Sequence, residues 1–234
     1  MGKLIGIGVG VGDPELITIK AVNALKKADA VILPRANTKN YSTAFEIAKE
    51  YMKKDIEKIY ADFTTVDDDK TREEDRLQYA KIVNECIKVG KNVAFITIGD
   101  PMTFSTFVYV INLLEKDVKV ETIPGITSFA SISARLNTPL VMGDETLKIV
   151  PISKETNIKE EINSSDNLIF MKITRNLERL KIALKETNQL KNAVLVSNCG
   201  KSDEKIIYNI ENITKEDISY FSTILLKKGG LDYA

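Results

Sequence analysis

Histidine is absent from the 234 residues of the sequence, and cysteine occurs only twice. Without histidine the chain has no Ser-His-Asp triad, no imidazole base and no histidine ligand for zinc. Cys86 and Cys199 cannot form a disulfide framework or complete a structural zinc site by themselves, so we expect a reducing cytoplasm. An enzyme of this composition has to work with carboxylates, lysine, arginine, tyrosine, hydroxyl groups, backbone dipoles or a bound cofactor.

The sequence also lacks an excess of positive charge and a long apolar run. Lys and Arg together number 33, as do Asp and Glu, and the resulting net charge of zero argues against nucleic acid as a partner. No apolar run approaches the roughly 18 residues that cross a membrane. Met1, Gly2 and Lys3 lead directly into a strand-like segment and not into a signal peptide. We therefore expect neither nucleic acid nor a membrane among the partners.

Strand and helix signals alternate through residues 1–120, whereas strand signals dominate after Pro139. At about 150 residues per domain, a chain of this length makes one large domain or two small ones. The change of pattern predicts two α/β domains with a cleft between them. We place these domains at residues 1–124 and 125–234, with the boundary somewhere within 124–145.

Local patterns in the first half predict where several elements begin, end and face the core. Asp13 and Pro14 are expected to start a helix with the apolar face Leu16, Ile19, Val22 and Leu25. Pro34 is expected to stop a short strand. Thr71 and Glu74 have the spacing of a capping box for a helix whose buried stripe would be Leu77, Ala80, Val83 and Ile87.

Glycine recurs at every second position from Gly6 to Gly12, directly after the first strand signal. A dinucleotide-binding loop needs G-x-G-x-x-G, but Asp13 stands where Gly8 and Gly10 require the third glycine. A phosphate loop is excluded as well, because no Gly-Lys-Ser/Thr follows. Two interpretations stay open: a tight turn between strand and helix, or a backbone surface that a ligand approaches closely.

Two further loops follow predicted strands, Gly99–Phe104 after Asn92–Ile98 and Pro124–Phe129 after Val118–Ile123. Each loop fits a helix cap. Each also fits a ligand site, because ligands of open α/β sheets bind at the carboxyl ends of the strands. Asp100 can accept hydrogen bonds from a ribose or an amine, and the hydroxyls of the second loop suit a carboxylate or an adenine edge. Two such loops on neighbouring strands indicate one crevice.

Three other features have simpler interpretations. The acidic run Asp67–Asp69 is expected to be solvated and not to bind a metal. Cys199 has no histidine or cysteine nearby, so it is interpreted as a small apolar residue. Tyr220 and Phe221 open the last predicted strand, where Tyr220 either packs or carries a proton at the edge of a cleft.

Together, the three loops resemble the motifs of tetrapyrrole methyltransferases that use S-adenosylmethionine. The matching segments, in the order of the family, are GVGVGDPELITIKA, GDPMTFSTF and PGITSFASISARLNTPL, although Val11 stands where the family commonly has proline. Four segments also resemble the branch that methylates carbon-20 of precorrin-2 or cobalt-factor II in corrin synthesis: GDPMTFSTF, ARLNTPLVMGDETLKIVPI, NLIFMKITRN and YFSTILLKK. The resemblance covers nearly the whole chain.

The resemblance implies the tetrapyrrole methylase fold of two α/β domains, a homodimer, and S-adenosylmethionine bound in the cleft between the domains. S-adenosylhomocysteine would be the product of the cofactor. Matched position by position, the cofactor-binding residues would be Asp100, Met102, Thr103, Thr127, Ser128 and Met171. The resemblance implies no protein-bound metal, because any cobalt would arrive inside the tetrapyrrole.

The implied substrate carries many carboxylates, and a proton has to leave the carbon that is methylated. Tyr220 and Asp100 are the candidates for the base, or for the group that orients the reactants. The candidate partners of the substrate carboxylates are the cations Arg35, Arg135, Lys172 and Arg175, each of which also fits an ordinary solvated surface residue.

Three other functions stay open at this point. The protein is a methyltransferase for another carbon of a corrin or porphyrin precursor, a module that binds S-adenosylmethionine without turnover, or a dinucleotide-dependent oxidoreductase. The glycine spacing disfavours the oxidoreductase. The first alternative would share the cofactor loops and differ only in the shape of the substrate site.

Overall fold

The computed structural model describes residues 2–36, 42–63 and 69–231. The chain divides into two compact units, Met1–Thr127 and Ser128–Ala234, each with its own five-stranded sheet. This arrangement confirms the expected fold class of two α/β domains. Within the described ranges, no helix is long and apolar enough to cross a membrane.

The first unit is built on a parallel sheet with the strand order β3-β2-β4-β1-β5. Its strands are β1 (Lys3–Gly8), β2 (Ala30–Ala36), β3 (Glu57–Phe63), β4 (Val93–Thr97) and β5 (Lys119–Ile123). Its helices are α1 (Ile19–Leu25), α2 (Thr43–Ala48), α3 (Asp69–Lys88) and α4 (Phe107–Ile111). Because β1 pairs in parallel with both β4 and β5, the carboxyl ends of these three strands are neighbours.

Both faces of the parallel sheet are buried, because helices cover each of them. Successive strand residues point to opposite faces, so neighbours in sequence enter different clusters. Helices α1 and α2 pack on one face, against Ile5, Ile7, Val31, Leu33, Ala94 and Ile96. Helices α3 and α4 pack on the other face, against Leu4, Ile32, Val93 and Phe95.

The first helix begins later than the sequence predicts. Asp13 caps only a 3-10 turn, Pro14–Leu16, whereas α1 begins at Ile19 and is capped by Thr18. The turn and the helix are therefore out of phase, and the predicted apolar face is wrong at Leu16 and at Ile19, which is 81% exposed. The residues that α1 buries are Ala21 and Leu25.

The predicted start of the long helix is also wrong. Helix α3 begins at Asp69, so Thr71 lies inside the helix and not at its N-cap. Leu77 is 50% exposed, and Tyr79 is buried in its place. The rest of the predicted stripe is buried as expected, namely Ala80, Val83 and Ile87.

Strand β2 does not stop at Pro34, as predicted, but continues to Ala36. Its pairing with β4 ends at Ile32, and from there on it pairs only with β3. A proline is tolerated in a strand that is paired on one side, because the missing N–H can face away from the partner.

The second unit is a mixed sheet with the strand order β6-β7-β10-β8-β9, in which only β6 and β7 are parallel neighbours. Its strands are β6 (Leu147–Pro151), β7 (Asn167–Met171), β8 (Ala193–Ser197), β9 (Lys205–Ile207) and β10 (Ser222–Lys227). Its helices are α5 (Ser128–Arg135), α6 (Ile158–Asn163) and α7 (Leu177–Glu186). Helices α6 and α7 cover one face of the sheet and α5 the other.

One charged side chain is completely buried in the second unit. Lys227, at the end of the central strand β10, is 0% exposed, and its ammonium donates to Glu145 Oε2 at 2.6 Å and Asn167 Oδ1 at 3.3 Å. The same Glu145 oxygen accepts the backbone N–H of Met142 at 2.9 Å. The hydrogen bond from Lys227, followed by that from Met142, lowers the pKa of the Glu145 carboxyl. This pair ties the segment before β6 to the middle of the sheet.

We expect Glu145→Gln to lower the midpoint of thermal unfolding at neutral pH by roughly 5 °C or more, because the buried Lys227 ammonium loses the negative charge of Glu145. The double variant Glu145→Gln/Lys227→Met should be more stable than Glu145→Gln alone, since it removes the buried charge as well. The matched control is Glu186→Gln, which breaks an exposed pair with Lys159. Equal midpoints for Glu145→Gln and Glu186→Gln would contradict the buried-pair interpretation.

The same pair has a pH dependence of defined sign. Because folding lowers the pKa of Glu145, its contribution to stability is complete above the unfolded pKa and is lost as the pH falls through the folded pKa. Differential scanning calorimetry from neutral to acidic pH should therefore show the gap between wild type and Glu145→Gln becoming smaller.

Candidate functional site

Three loops of the first unit meet where β1, β4 and β5 end. Gly10, after β1, and Gly99, after β4, form an isolated antiparallel bridge in which Gly99 N donates to Gly10 O at 2.8 Å. Val9 N also donates to Thr97 O at 3.0 Å, so the loop after β1 is held along the end of β4. The predicted neighbourhood of the loops thus exists, but β4 and β5 are not neighbouring strands as expected, because β1 lies between them.

At Gly125 the backbone of the third loop lies directly against the backbones of Gly8 and Gly99. A Cβ on Gly125 would lie 2.1 Å from Gly99 O and 2.6 Å from Gly8 C, and a Cβ on Gly8 would lie 2.5 Å from Gly125 N. Backbone atoms cannot rotate out of the way as a side chain can. The three loops therefore approach one another only because these positions carry no side chain.

Asp100 joins the second and third loops through its carboxylate. Oδ1 accepts the backbone N–H of Met102 at 2.9 Å and the hydroxyl of Thr103 at 3.2 Å. Oδ2 accepts the backbone N–H of Gly125 at 3.2 Å. Helix α4 begins only at Phe107, so Asp100 caps a turn and not a helix. Both oxygens are engaged in holding loops, which fits a positioning role better than that of a base.

The turn after Asp100 presents side chains to its surface. Met102 and Phe104 are exposed and Thr103 is half-buried. Phe104 has a φ of 51°, in the left-handed region that costs a side-chain-bearing residue free energy. Strain of this kind is concentrated at ligand sites, so the turn has the character of a functional loop.

The third loop leads into α5. Thr127 and Ser128 are half-buried, and Ser128 is the first residue of the helix, where backbone N–H groups have no partner inside the helix. Ser131, three residues further and on the same side of the helix, is buried, and its Oγ has no hydrogen-bond partner among the described residues. A buried hydroxyl without a partner can form a hydrogen bond with a ligand or a water molecule.

In the second unit, hydroxyl groups shape the segment that carries Tyr220. Ser219 Oγ donates to Asn198 Oδ1 at 2.8 Å and accepts the backbone N–H of Phe221 at 3.1 Å. Ser222 Oγ donates to Ser197 Oγ at 2.9 Å. Tyr220 itself is 73% exposed. Its ring is therefore placed at the surface by a rigid turn and not by packing in the core.

Arg135 is anchored to the loop that follows β8. Its Nε donates to Glu204 Oε1 at 2.8 Å, and Glu204 Oε2 accepts the backbone N–H of Gly200 at 2.8 Å. Burial raises the pKa of Glu204, but these two hydrogen bonds outweigh it and the pKa is lowered. Burial, followed by the charge of Glu204, raises the pKa of Cys199 to about 11. The thiol therefore stays protonated at neutral pH, which fits its interpretation as a small apolar residue.

The other predicted site residues are placed as follows. Met171 ends β7 and packs partly against the cluster beneath α5. Lys172 and Arg175 lie in and beside a 3-10 turn after β7. Arg35 belongs to β2, but its side chain lies outside the described part of the chain, as do Asp67 and Asp68. No group of three or more histidine, cysteine, aspartate or glutamate side chains within the described ranges is arranged to hold a metal ion.

Sequence reasoning missed Ser131, Glu145, Lys201 and Lys227. Ser131 and Lys227 were passed over because local pattern does not report burial. The only sequence signal for Lys227 is its position at the end of the apolar run STILL.

The fold and the first-unit site together define an α/β protein that binds a small molecule at adjacent strand ends.

Comparison with known proteins makes this class specific. The family described as Tetrapyrrole (Corrin/Porphyrin) Methylases matches residues 3–214. Over 231 residues the chain is 36% identical to a Methanocaldococcus jannaschii protein named "Probable cobalt-precorrin-2 C(20)-methyltransferase", covering 97% of this chain and 96% of that protein. Over 229 residues it is 29% identical to the cobalt-precorrin-2 C(20)-methyltransferase of Salmonella typhimurium, covering 97% of each. The chain belongs to the tetrapyrrole methylase family, which confirms the resemblance seen in its motifs.

Solved structures agree with the fold. A cobalt precorrin-4 methyltransferase superposes with a TM-score of 0.76 at 21% identity, covering 98% of this chain and 96% of that one. Uroporphyrin-III C-methyl transferase from Thermus thermophilus, complexed with S-adenosyl homocysteine, superposes with a TM-score of 0.68 at 20% identity, covering 97% and 98%. The first unit's parallel sheet and the second unit's mixed sheet are thus those of the family.

We expect Gly125→Ala to disrupt the contact of the three loops, because the new methyl group would overlap backbone atoms of Gly99 and Gly8. Overpacking of this kind costs about 1–3 kcal/mol or more. The matched control is Gly90→Ala, which has a φ of +88° but no atom within 4 Å of the added Cβ. Urea unfolding should show the larger loss for Gly125→Ala. Because Gly90→Ala carries the strain of a positive φ but no overlap, a loss for Gly125→Ala no larger than that of the control would contradict the backbone overlap.

Proposed function

We propose that this protein transfers a methyl group from S-adenosylmethionine to carbon-20 of cobalt-factor II or precorrin-2 in cobalamin biosynthesis. The observation that carries the proposal is the similarity, along 97% of the chain, to relatives named as C(20)-methyltransferases. A Sinorhizobium relative, 30% identical over 235 residues and covering 97% of this chain and 95% of that protein, is named for precorrin-2 itself. Both macrocycles are therefore included in the proposal.

The first-unit site fits the cofactor in its chemistry. The glycines let the three loops meet backbone to backbone, and the half-buried hydroxyls of Thr103 and Thr127 can bond polar groups of S-adenosylmethionine, as can the hydroxyl of Ser128, where the second unit begins. We propose that Asp100, Met102, Thr103, Thr127 and Ser128 hold the cofactor, and we include Met171 because the resemblance assigns it to the adenine.

The cofactor, when bound, supplies an activated methyl group attached to sulfur. The protein's own contribution is to orient the reactants and exclude water, which lowers the barrier by roughly 7–11 kcal/mol at best. Asp100 contributes by holding the turn of Met102 and Thr103 against Gly125. This is a task that needs no histidine, in agreement with the composition.

Methylation of the carbon has to be followed by loss of its proton. We propose that Tyr220 Oη takes part in this transfer and passes the proton to solvent, because its ring is exposed and set on a rigid turn. Asp100 is assigned to orientation instead, since both of its oxygens already accept hydrogen bonds.

The proposal includes cations for the carboxylates of the tetrapyrrole. Arg35 and Arg135 keep this assignment, but Arg135 is already paired with Glu204, which reduces the charge it offers. A cobalt ion, where present, is part of the substrate. The homodimer that the resemblance implies and the cytoplasmic location expected from the scarcity of cysteine are further parts of the proposal, and light scattering after size-exclusion chromatography measures the first.

The reaction is tested by incubating the purified protein with S-adenosylmethionine and, in parallel, with cobalt-factor II or precorrin-2. Mass spectrometry should show the gain of one methyl group, and NMR of the product made with a labelled methyl group should place it on carbon-20. A methyl group on another carbon would favour the role of a relative such as the uroporphyrinogen-III C-methyltransferase of Methanocaldococcus jannaschii, 32% identical over 188 residues. Cofactor binding without any methyl gain would indicate a binding module.

The role of Tyr220 is tested by Tyr220→Phe. We expect kcat to fall by roughly 10²–10⁴, as for the loss of a general acid or base, while the dissociation constant for S-adenosylmethionine is unchanged. Tyr208→Phe is the matched control, because Tyr208 is an exposed tyrosine of the same unit. If Tyr220→Phe retains full turnover, Tyr220 has no part in the proton transfer.

A further inference from the structure

A lysine that none of the family motifs includes lies beside Tyr220. Lys201 follows β8, and its Nζ is 3.9 Å from the centre of the Phe221 ring. That ring meets the ring of Tyr220 edge-on, at 5.1 Å between centres and 89° between planes. Lys201, Phe221 and Tyr220 thus form a continuous cluster, in which a cation covers one face of an aromatic pair.

The Lys201 ammonium lacks a carboxylate partner within the described residues. Burial lowers its pKa, and the only opposing influence is the charge of Asp203. Asp203 does not pair with it, and its Oδ2 accepts a hydrogen bond from Asn198 Nδ2 at 2.7 Å. Other lysines of the unit, such as Lys185 with Glu211 at 3.0 Å, have ion pairs at the surface. Lys201 combines partial burial with an unmatched charge.

Hydrogen bonds hold the loop that carries Lys201. Its backbone N–H donates to Asn198 O at 3.0 Å, and Asn198 accepts from Ser219, the residue before Tyr220. The same loop contains Gly200, through which Glu204 holds Arg135. One loop therefore connects a neutralised cation, Arg135, with an unneutralised one, Lys201.

A half-buried ammonium without a counter-ion costs folding free energy, and the cation–π contact with Phe221 offsets only part of that cost. Such a group is stabilised when an anion binds it. We propose that Lys201 binds a carboxylate of the tetrapyrrole substrate and so sets the macrocycle beside Tyr220. This inference rests on the proposed function for the identity of the anion, and it makes Lys201, ahead of Arg135, the main cation of this loop.

The test compares Lys201→Met with wild type. Methionine keeps the apolar stem over the Phe221 ring and removes only the charge. With S-adenosylhomocysteine present to prevent turnover, the dissociation constant for cobalt-factor II, measured by absorbance titration, should rise about tenfold or more, as expected for a charge-assisted hydrogen bond. The dissociation constant for S-adenosylhomocysteine should not change. The midpoint of thermal unfolding should stay constant or rise, because an unpaired charge has been removed from a half-buried site.

Two further variants separate binding from general charge effects. Lys185→Met removes one exposed positive charge from the same unit and should leave the affinity for cobalt-factor II unchanged. Lys201→Arg keeps the charge and should recover most of the lost affinity. In turnover assays the loss for Lys201→Met should appear in the KM for the tetrapyrrole and not in the KM for S-adenosylmethionine.

The outcomes distinguish this inference from the proposed function. Equal affinities of wild type and Lys201→Met for cobalt-factor II would overturn the role of Lys201 even if the enzyme methylates carbon-20. A parallel fall in thermal stability and in both affinities would also overturn it, since Lys201 would then be structural. Weaker binding by Lys201→Met, together with a wild type that binds without methylating, would support Lys201 and reject the proposed reaction. A wild type that does not bind the tetrapyrrole would reject both.

Discussion

The close approach of three backbones at the end of the parallel sheet is the constraint on which the first unit's site depends. Gly8, Gly99 and Gly125 lie so near one another that a Cβ added to Gly8 or to Gly125 would overlap main-chain atoms. Because β1, β4 and β5 are neighbouring strands, the sheet itself brings the loops to this point. Asp100 then joins two of them through Gly125 N and Met102 N. The site is formed by backbone geometry first and by side chains second.

This construction suits a reaction in which the cofactor carries the reactive group. A rigid set of loops supplies orientation, and the protein needs few titratable residues of its own. In the second unit a loop is also held in place, but by side chains: serine hydroxyls and Asn198 form the hydrogen bonds that hold the turn of Tyr220.

Regular elements with strong periodicity were predictable, and the exceptions have physical causes. Strand signals dominate after Pro139, and the second unit is indeed built on five strands, whereas its helix α6 has only six residues and is too short for a periodic pattern to indicate it. The face of α1 was wrong because a 3-10 turn interrupts the helical phase before Ile19. Thr71 has the spacing of a cap, but the helix begins two residues earlier, at Asp69, and spacing alone does not report where the first turn is stable.

The sequence by itself determined the fold class, the three loops, the absence of histidine chemistry and the family, because each of these is written in short contiguous segments. Only the tertiary structure decided that Asp100 bonds Gly125, that Arg135 is neutralised by Glu204 and that Lys227 is buried against Glu145. The same holds for Lys201, whose burial beside Phe221 distinguishes it from other lysines. These partners are between 20 and 82 residues apart in the chain. Local pattern records which groups are present, but charge, burial and hydrogen bonding depend on which distant groups the fold brings together.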